Sequence, residues 1–184
     1  RIVELLRAET KAGYGLHLFE PRWFEPEQRQ QSFRSPTVIP VPDRASIVHG
    51  IKDACSDDAL WLVVSVAQYI KETGDFAFAD EIVTYADGGE ESVYNHLKRI
   101  LNFSAEQTGQ NGICKGLRAD WNDCLNLGGG QTALVSFLHI WAANALAGVV
   151  AHLAATAPDA AASVRWTAEA ERLAQITAEV TADV

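Results

Sequence analysis

Apolar residues recur at three- and four-residue intervals in several stretches of this chain, the period of one face of an α-helix. The first stretch is short. Ile2, Leu5, Leu6 and Ala12 fall near helical spacing, and Gly13 stands where a C-terminal cap would fall. Residues 14 to 19 then alternate apolar and small side chains, which predicts a short strand. A second helix is predicted from a cap at Ser56 or Asp57 through Thr73. Leu60, Trp61, Val63, Val64, Ala67 and Ile70 would form its buried face, with Trp61 in the core, and Gly74 would end it. A third helix begins near Ser92, with Val93, Leu97, Ile100, Leu101 and Ser104 on one side. A fourth starts near Gln131 and runs past Leu146, carrying Leu134, Phe137, Leu138, Trp141 and Leu146. Pro158 marks a break, because proline belongs in a first helical turn or outside a helix. An alanine-rich helix follows from about Asp159 to Ala182.

Between these helices the pattern gives way to long irregular segments. Five of the 6 prolines lie between Pro21 and Pro42, among Trp23, Phe24 and Phe33. That density forbids a long helix or a central strand. Three large aromatics point to a functional loop or lid over residues 21–49, since linkers rarely carry them. With no convincing set of strands, the fold class is all-α, a toroid of helical hairpins with its loops gathered at one end.

Composition narrows the classes further. The 184 residues suffice for one ordinary domain, and 48% hydrophobic content can supply its core. A net charge of −9 argues against nucleic acid and anionic membrane as partners. No signal peptide is evident and no apolar run of about 18 residues was found, so no spanning segment is expected. Cys55, Cys114 and Cys124 have no close pair spacing, which suggests neither a disulfide framework nor a zinc site and fits a reducing cytoplasm. His17, His49, His96, His139 and His152 are scattered without metal-ligand spacing. Hydrogen-bonded core or surface roles are expected for His139 and His152, and no metal is expected. The chain holds no Met and begins at Arg1, so it reads as a piece of something longer.

The chemistry concentrates in residues 116 to 130, Gly-Leu-Arg-Ala-Asp-Trp-Asn-Asp-Cys-Leu-Asn-Leu-Gly-Gly-Gly. Asp120 and Asp123 flank a Trp-Asn pair, Arg118 precedes them, and nothing there has a helical or strand period. An acid beside an indole suits a sugar site: the ring covers the apolar face of a pyranose, and the carboxyl protonates a glycosidic oxygen. The competing account is a solvated loop whose Trp anchors a local cluster and whose Asp caps the next helix. Arg118 could contact phosphate or sugar, or form a salt bridge with a neighbouring acid. Gly128, Gly129 and Gly130 permit positive φ and could cradle phosphate at the next helix N-terminus, or simply make the loop flexible. They make no nucleotide loop, since neither the GxGxxG frame nor a following Lys-Ser/Thr is present. Asp57-Asp58 and Glu90-Glu91 read most simply as charges favoured at helix N-termini.

The run from Arg118 to Leu127 resembles the catalytic segment of glycoside hydrolase family 94, the inverting β-glycoside phosphorylases. Gly50 to Asp53 leading into Ser56 to Leu62, Tyr69 to Asp75, and Tyr85 to Glu90 are also similar to that family. The likeness extends from about residue 1 to about Leu146. It implies that Asp123 is the general acid and that Trp121 lines a sugar subsite, with Arg118 and Asp120 as further substrate-binding candidates. Glu90 could border the same site. It also implies an (α/α)6 barrel, of which residues 1–184 would be about half, with residues 106–130 as the catalytic loop and the family's upstream β-rich domain missing. The implied reaction is phosphorolysis of a β-1,4-linked disaccharide of the cellobiose or N,N'-diacetylchitobiose type to α-sugar-1-phosphate and a monosaccharide. Inorganic phosphate is the co-substrate and no cofactor is expected. Disaccharide and phosphate are then the expected partners, a homodimeric parent is one option, and the isolated piece is expected to be inactive. After the glycines the family tends to have Glu-Ser, whereas this chain has Gln131-Thr132. The alternatives are a cyclic β-1,2-glucan synthase or β-glucan phosphorylase domain, and a non-catalytic carbohydrate-binding helical fragment.

Overall fold

The computed structural model describes residues 1–17, 54–110, 112–122, 124–125, 127 and 129–182. The expected loop over 21–49, Asp123 and Gly128 lie outside them. The described residues are mostly helical: α1 (Ile2–Arg7), α2 (Asp58–Thr73), α3 (Val93–Glu106), α4 (Ala133–Ala155) and α5 (Ala160–Ala182). A 3₁₀ turn at Phe76–Asp80 follows α2, and then comes an antiparallel hairpin, β1 (Ile82–Thr84) and β2 (Glu90–Ser92), with Val83 opposite Glu91. The sequence pattern showed no strands there. The hairpin is too short for alternation to register.

Helix α1 ends at Arg7, earlier than expected. The chain folds back instead, with the amide of Leu16 on the carbonyl of Ala8 and that of Thr10 on the carbonyl of Tyr14. The expected strand from residue 14 is reduced, in its described part, to an isolated bridge between Gly15 and Glu9. Helix α2 runs between the expected limits, and Gly74 caps it with φ 72°. Its buried stripe is Ala59, Leu60, Leu62, Val63, Val66, Ala67 and Ile70. Trp61 is therefore not in the core but 40% exposed, and Val64 is only half-buried. Both flanks of the stripe are apolar, so the pattern could not fix the rotation of the helix.

In α3 the five residues expected inside are buried, and the Ser92 hydroxyl accepts the Asn95 amide at 3.3 Å as the cap. In α4 the expectation is overturned in part. Leu134, Phe137 and Trp141 are 45%, 59% and 53% exposed. The packed face instead carries Val135, Ser136, Leu138, His139, Ala142, Ala143, Leu146, Val149 and Val150. Small side chains let α4 approach its neighbours α2 and α5 closely, and the bulky residues turn outward. Helix α4 is also long and apolar enough to cross a membrane by length and composition, with half of its most apolar window buried in the protein. No such run was expected.

Helix α5 returns antiparallel to α4 and buries Trp166, Leu173 and Ile176. It is tied to α3 by Glu169, which accepts from Tyr94 (2.9 Å) and Lys98 (2.5 Å), and by Arg172, which donates to Asn102 at 2.6 Å. A second polar network joins the fold-back after α1, the hairpin and α3. His96 lies fully buried between the Val83 carbonyl (Nε2, 3.0 Å) and Glu9 (Nδ1, 2.7 Å), and Tyr85 stacks on its ring at 3.9 Å. Val83 requires a donor, so Nε2 carries a proton. Burial pushes Glu9 well up and His96 down, which favours a neutral pair with the Glu9 carboxyl donating to Nδ1.

Candidate active site

The segment between α3 and α4 is irregular in secondary structure but fixed by hydrogen bonds at its base. Lys115 N–H donates to the Gln107 carbonyl at 2.8 Å, and Thr132 N–H to Cys114 at 2.9 Å. The buried amide of Cys114 donates to the Ser136 hydroxyl on α4 at 3.0 Å. Gly116 N–H donates to the Gly130 carbonyl at 2.7 Å, closing the two arms on each other. A side chain at Gly116 would run into Leu127, so this closure requires glycine.

The descending arm is stitched to the residues just before α2. Ser56 donates from its amide and its hydroxyl to the Ala119 carbonyl, at 2.9 and 3.1 Å, and Arg118 N–H reaches Ala54 at 3.2 Å. Between these contacts Leu117 has φ 48°, the left-handed region that a branched side chain rarely adopts. Such strain persists where surrounding bonds over-determine the backbone, and it gathers at functional sites.

At the tip, Asp120 is 7% exposed and both of its oxygens are engaged. Oδ1 accepts the Asn122 amide at 3.0 Å and Oδ2 accepts the Thr132 hydroxyl at 2.9 Å. Asn122 Oδ1 in turn accepts the Cys124 amide at 3.1 Å. Trp121 stands out from this frame, 72% exposed. Arg118 is exposed as well and makes no ion pair with a described residue. Of the residues singled out in the sequence, Arg118, Asp120 and Trp121 thus share one anchored loop, and Asp123 lies outside the described residues. Gly129 has φ 100°, while the Gly130 amide donates to the Leu127 carbonyl at 2.6 Å and so is not free for an anion. Glu90 is exposed in β2, in register with Thr84.

The fold adds residues that the sequence reading left at helix-end duty. Asp57 is the N-cap residue of α2, as one of the two expected options, but its side chain makes no capping bond: it is 4% exposed and its Oδ2 accepts the Trp61 indole N–H at 2.9 Å. Burial first, then the charges of Asp58 and Asp120, hold its carboxyl above the usual range, although the Trp61 bond pulls the other way. A buried acid with a raised pKa beside a polar loop marks functional sites more often than chance. The four-residue spacing of Asp57 and Trp61 was the signal available in the sequence. His17, Cys55 and Asp58 also converge, their ligand-type atoms within 4.8 Å of one another. His17 and Asp58 satisfy each other at 3.0 Å, which accounts for two of the three without an ion.

Residues 1–180 match the Glycosyl hydrolase 94 superfamily, catalytic domain. The chain is 58% identical over 153 residues to an N,N'-diacetylchitobiose phosphorylase of Vibrio furnissii, covering 83% of this chain and 19% of that protein. It is 62% identical over 143 residues to the protein of the same name from Vibrio proteolyticus, covering 77% and 18%. A solabiose phosphorylase of Paenibacillus borealis shares 38% over 71 residues, 39% of this chain and 9% of that protein. The aligned part of the chain therefore spans less than a fifth of either Vibrio relative. On the extent of the family match and the identity to these relatives, the chain belongs to the glycosyl hydrolase 94 superfamily, matching its catalytic domain.

Proposed function

We propose that residues 1–184 are part of the catalytic domain of an inverting disaccharide phosphorylase, about half of an (α/α)6 barrel, with residues 106–130 as the catalytic loop. The substrate is a β-1,4-linked disaccharide of the N,N'-diacetylchitobiose or cellobiose type, and the names of the two Vibrio relatives favour the first. Phosphate attacks the anomeric carbon from the face opposite the leaving oxygen, so the protein need supply one acid and no water-activating base. Asp123 is that acid and Trp121 is the sugar platform, with Arg118 beside them for sugar or phosphate. The products are α-sugar-1-phosphate and a monosaccharide, formed without a cofactor, in the cytoplasm.

One observation carries this reading: a tryptophan 72% exposed on a loop whose backbone is anchored on both sides. An indole held out from a fixed loop beside carboxyl groups offers its flat face to the apolar side of a pyranose. The test is Asp123→Asn in the complete enzyme, followed as phosphate release from α-sugar-1-phosphate during synthesis. Turnover should fall about 10²- to 10⁴-fold with the melting temperature unchanged. Near-wild-type turnover would overturn the assignment. Comparing N,N'-diacetylchitobiose, cellobiose and β-1,2-glucans as substrates separates the phosphorylase types, and glycan binding without turnover by the wild type would favour a non-catalytic role.

A further inference from the structure

We infer that Asp120 and Thr132 are positioning residues, a latch between the loop and α4 that holds the loop frame carrying the proton donor. This inference rests on the reading of Asp123 as the proton donor.

Thr132 is the N-cap residue of α4, yet its hydroxyl makes no capping bond. It donates instead to Asp120 Oδ2, 2.9 Å away and buried. A threonine in that position ordinarily accepts from an amide of the first helical turn. Here its hydroxyl is turned to the loop. The Asp120 carboxylate thereby sits at the N-terminus of a 23-residue helix, where the aligned peptide dipoles favour negative charge. The charge that the glycine run suggested for phosphate is supplied at this point by the chain itself.

The other Asp120 oxygen holds the Asn122 amide, and the Asn122 side chain holds the Cys124 amide. The amides of Asn122 and Cys124 are thus each held by a side-chain oxygen, and the chain of bonds runs unbroken to α4. Asp120 is 7% exposed and each of its oxygens already accepts a bond from the loop or from α4, so the role its geometry supports is to hold the loop in place. Displacing a reacting group by about 1 Å costs on the order of 10² in rate, so slack in this latch should appear in kcat.

The experiment uses the complete enzyme with Thr132→Val, which keeps the shape and removes the hydroxyl, and Thr132→Ser, which restores it. Thr132→Val should lower kcat for disaccharide phosphorolysis roughly 10- to 100-fold with KM for phosphate unchanged, and Thr132→Ser should recover most of the loss. A dinitrophenyl β-glycoside of the same sugar serves as second substrate, because dinitrophenolate leaves as a stable anion without a proton. On it Thr132→Val should run at the wild-type rate, since only the proton transfer is impaired. Equal losses on both substrates would mean a merely structural role and overturn the latch. So would full disaccharide turnover in Thr132→Val, or a Ser variant as slow as Val. Asp123→Asn runs alongside: its inactivity beside a fully active Thr132→Val sinks the latch alone, whereas its full activity sinks the underlying reading.

Discussion

Trp121 exposes nearly three-quarters of its surface on an anchored loop, and water gains nothing from that arrangement. Stacking a pyranose on the ring would relieve it: at ~25 cal/mol per Å² a modest covered area corresponds to about 1–3 kcal/mol. Trp121→Ala should weaken disaccharide about 10- to 100-fold in a substrate titration and leave the melting curve almost in place. Trp166, 4% exposed, is the control, because Trp166→Ala should cost about 3–5 kcal/mol of stability. The reverse result at Trp121 would make it a packing residue. His139 poses a different test. It is fully buried on α4, and neither ring nitrogen has a hydrogen-bond partner among the described residues. Burial lowers its pKa to about 4, from 6.5. The folded pKa lies below the unfolded one, so acid protonates the unfolded chain first and stability falls as pH drops through that window. By itself this removes about 2 kcal/mol between pH 7 and pH 5. Urea unfolding of wild type and His139→Leu at both pH values isolates it, since Glu9 and His96 contribute equally to both proteins; an identical pH dependence would refute it. The sequence announced the types at this scale, Asp, Trp and His. It could not show that Asp120 gives one oxygen to Asn122 and the other to Thr132, or that His139 lacks a hydrogen-bond partner among the described residues, because such pairings are set by how loop and helices pack.

At the scale of elements, the helices were legible wherever punctuation was local. Gly74 and Ser92 set boundaries through their own backbone and hydroxyl, and the structure ends α2 at the first and begins α3 after the second. Rotation about the helix axis was less legible. In α2 and α4 apolar residues surround much of the circumference, and close approach favours alanine and serine over the Phe and Trp that a hydrophobicity count selects. The fold-back after α1 was invisible because it depends on a contact across the fold. Gly13 has φ 95°, and an added Cβ there would fall under 3 Å from the Arg99 carbonyl oxygen and from Phe103 Cβ. Gly88 has φ 92° with nothing within 4 Å of that position. Gly13→Ala should therefore cost about 2–4 kcal/mol, strain plus clash, and Gly88→Ala only about 1, the strain alone. Denaturant midpoints at constant slope measure both, and equal losses would show that the packing of Gly13 on α3 contributes nothing.

For the molecule as a whole, the apolar surface left in water is the informative quantity. Trp61 and Trp141 meet edge-on at 5.8 Å on the outside of α2 and α4. Leu134 and Phe137 extend the patch along α4, and further along α2 an open groove of about 540 Å³ runs between Val64, Gln68, Tyr69 and Trp141. Contiguous exposed apolar surface of this kind promotes association. In the proposed barrel, further hairpins would cover it; the toroid was suggested by the alternation of helices and loops, but no sequence pattern could show which face of α4 turns toward them. The described residues supply a buried core of their own, from Leu6 through Leu173, so residues 1–184 by themselves should be helical yet self-associating. Light scattering should find species larger than a monomer. The double substitution Phe137→Lys, Trp141→Lys should shift them to monomer, since it places charge on the patch and removes no buried side chain, and the circular dichroism of the helices should persist. Both proteins should lack phosphorolytic activity, because the proposed half of a toroid could not enclose a disaccharide. A monomeric wild type would show that the exposed face needs no cover, and an active one would show that residues 1–184 hold a complete site.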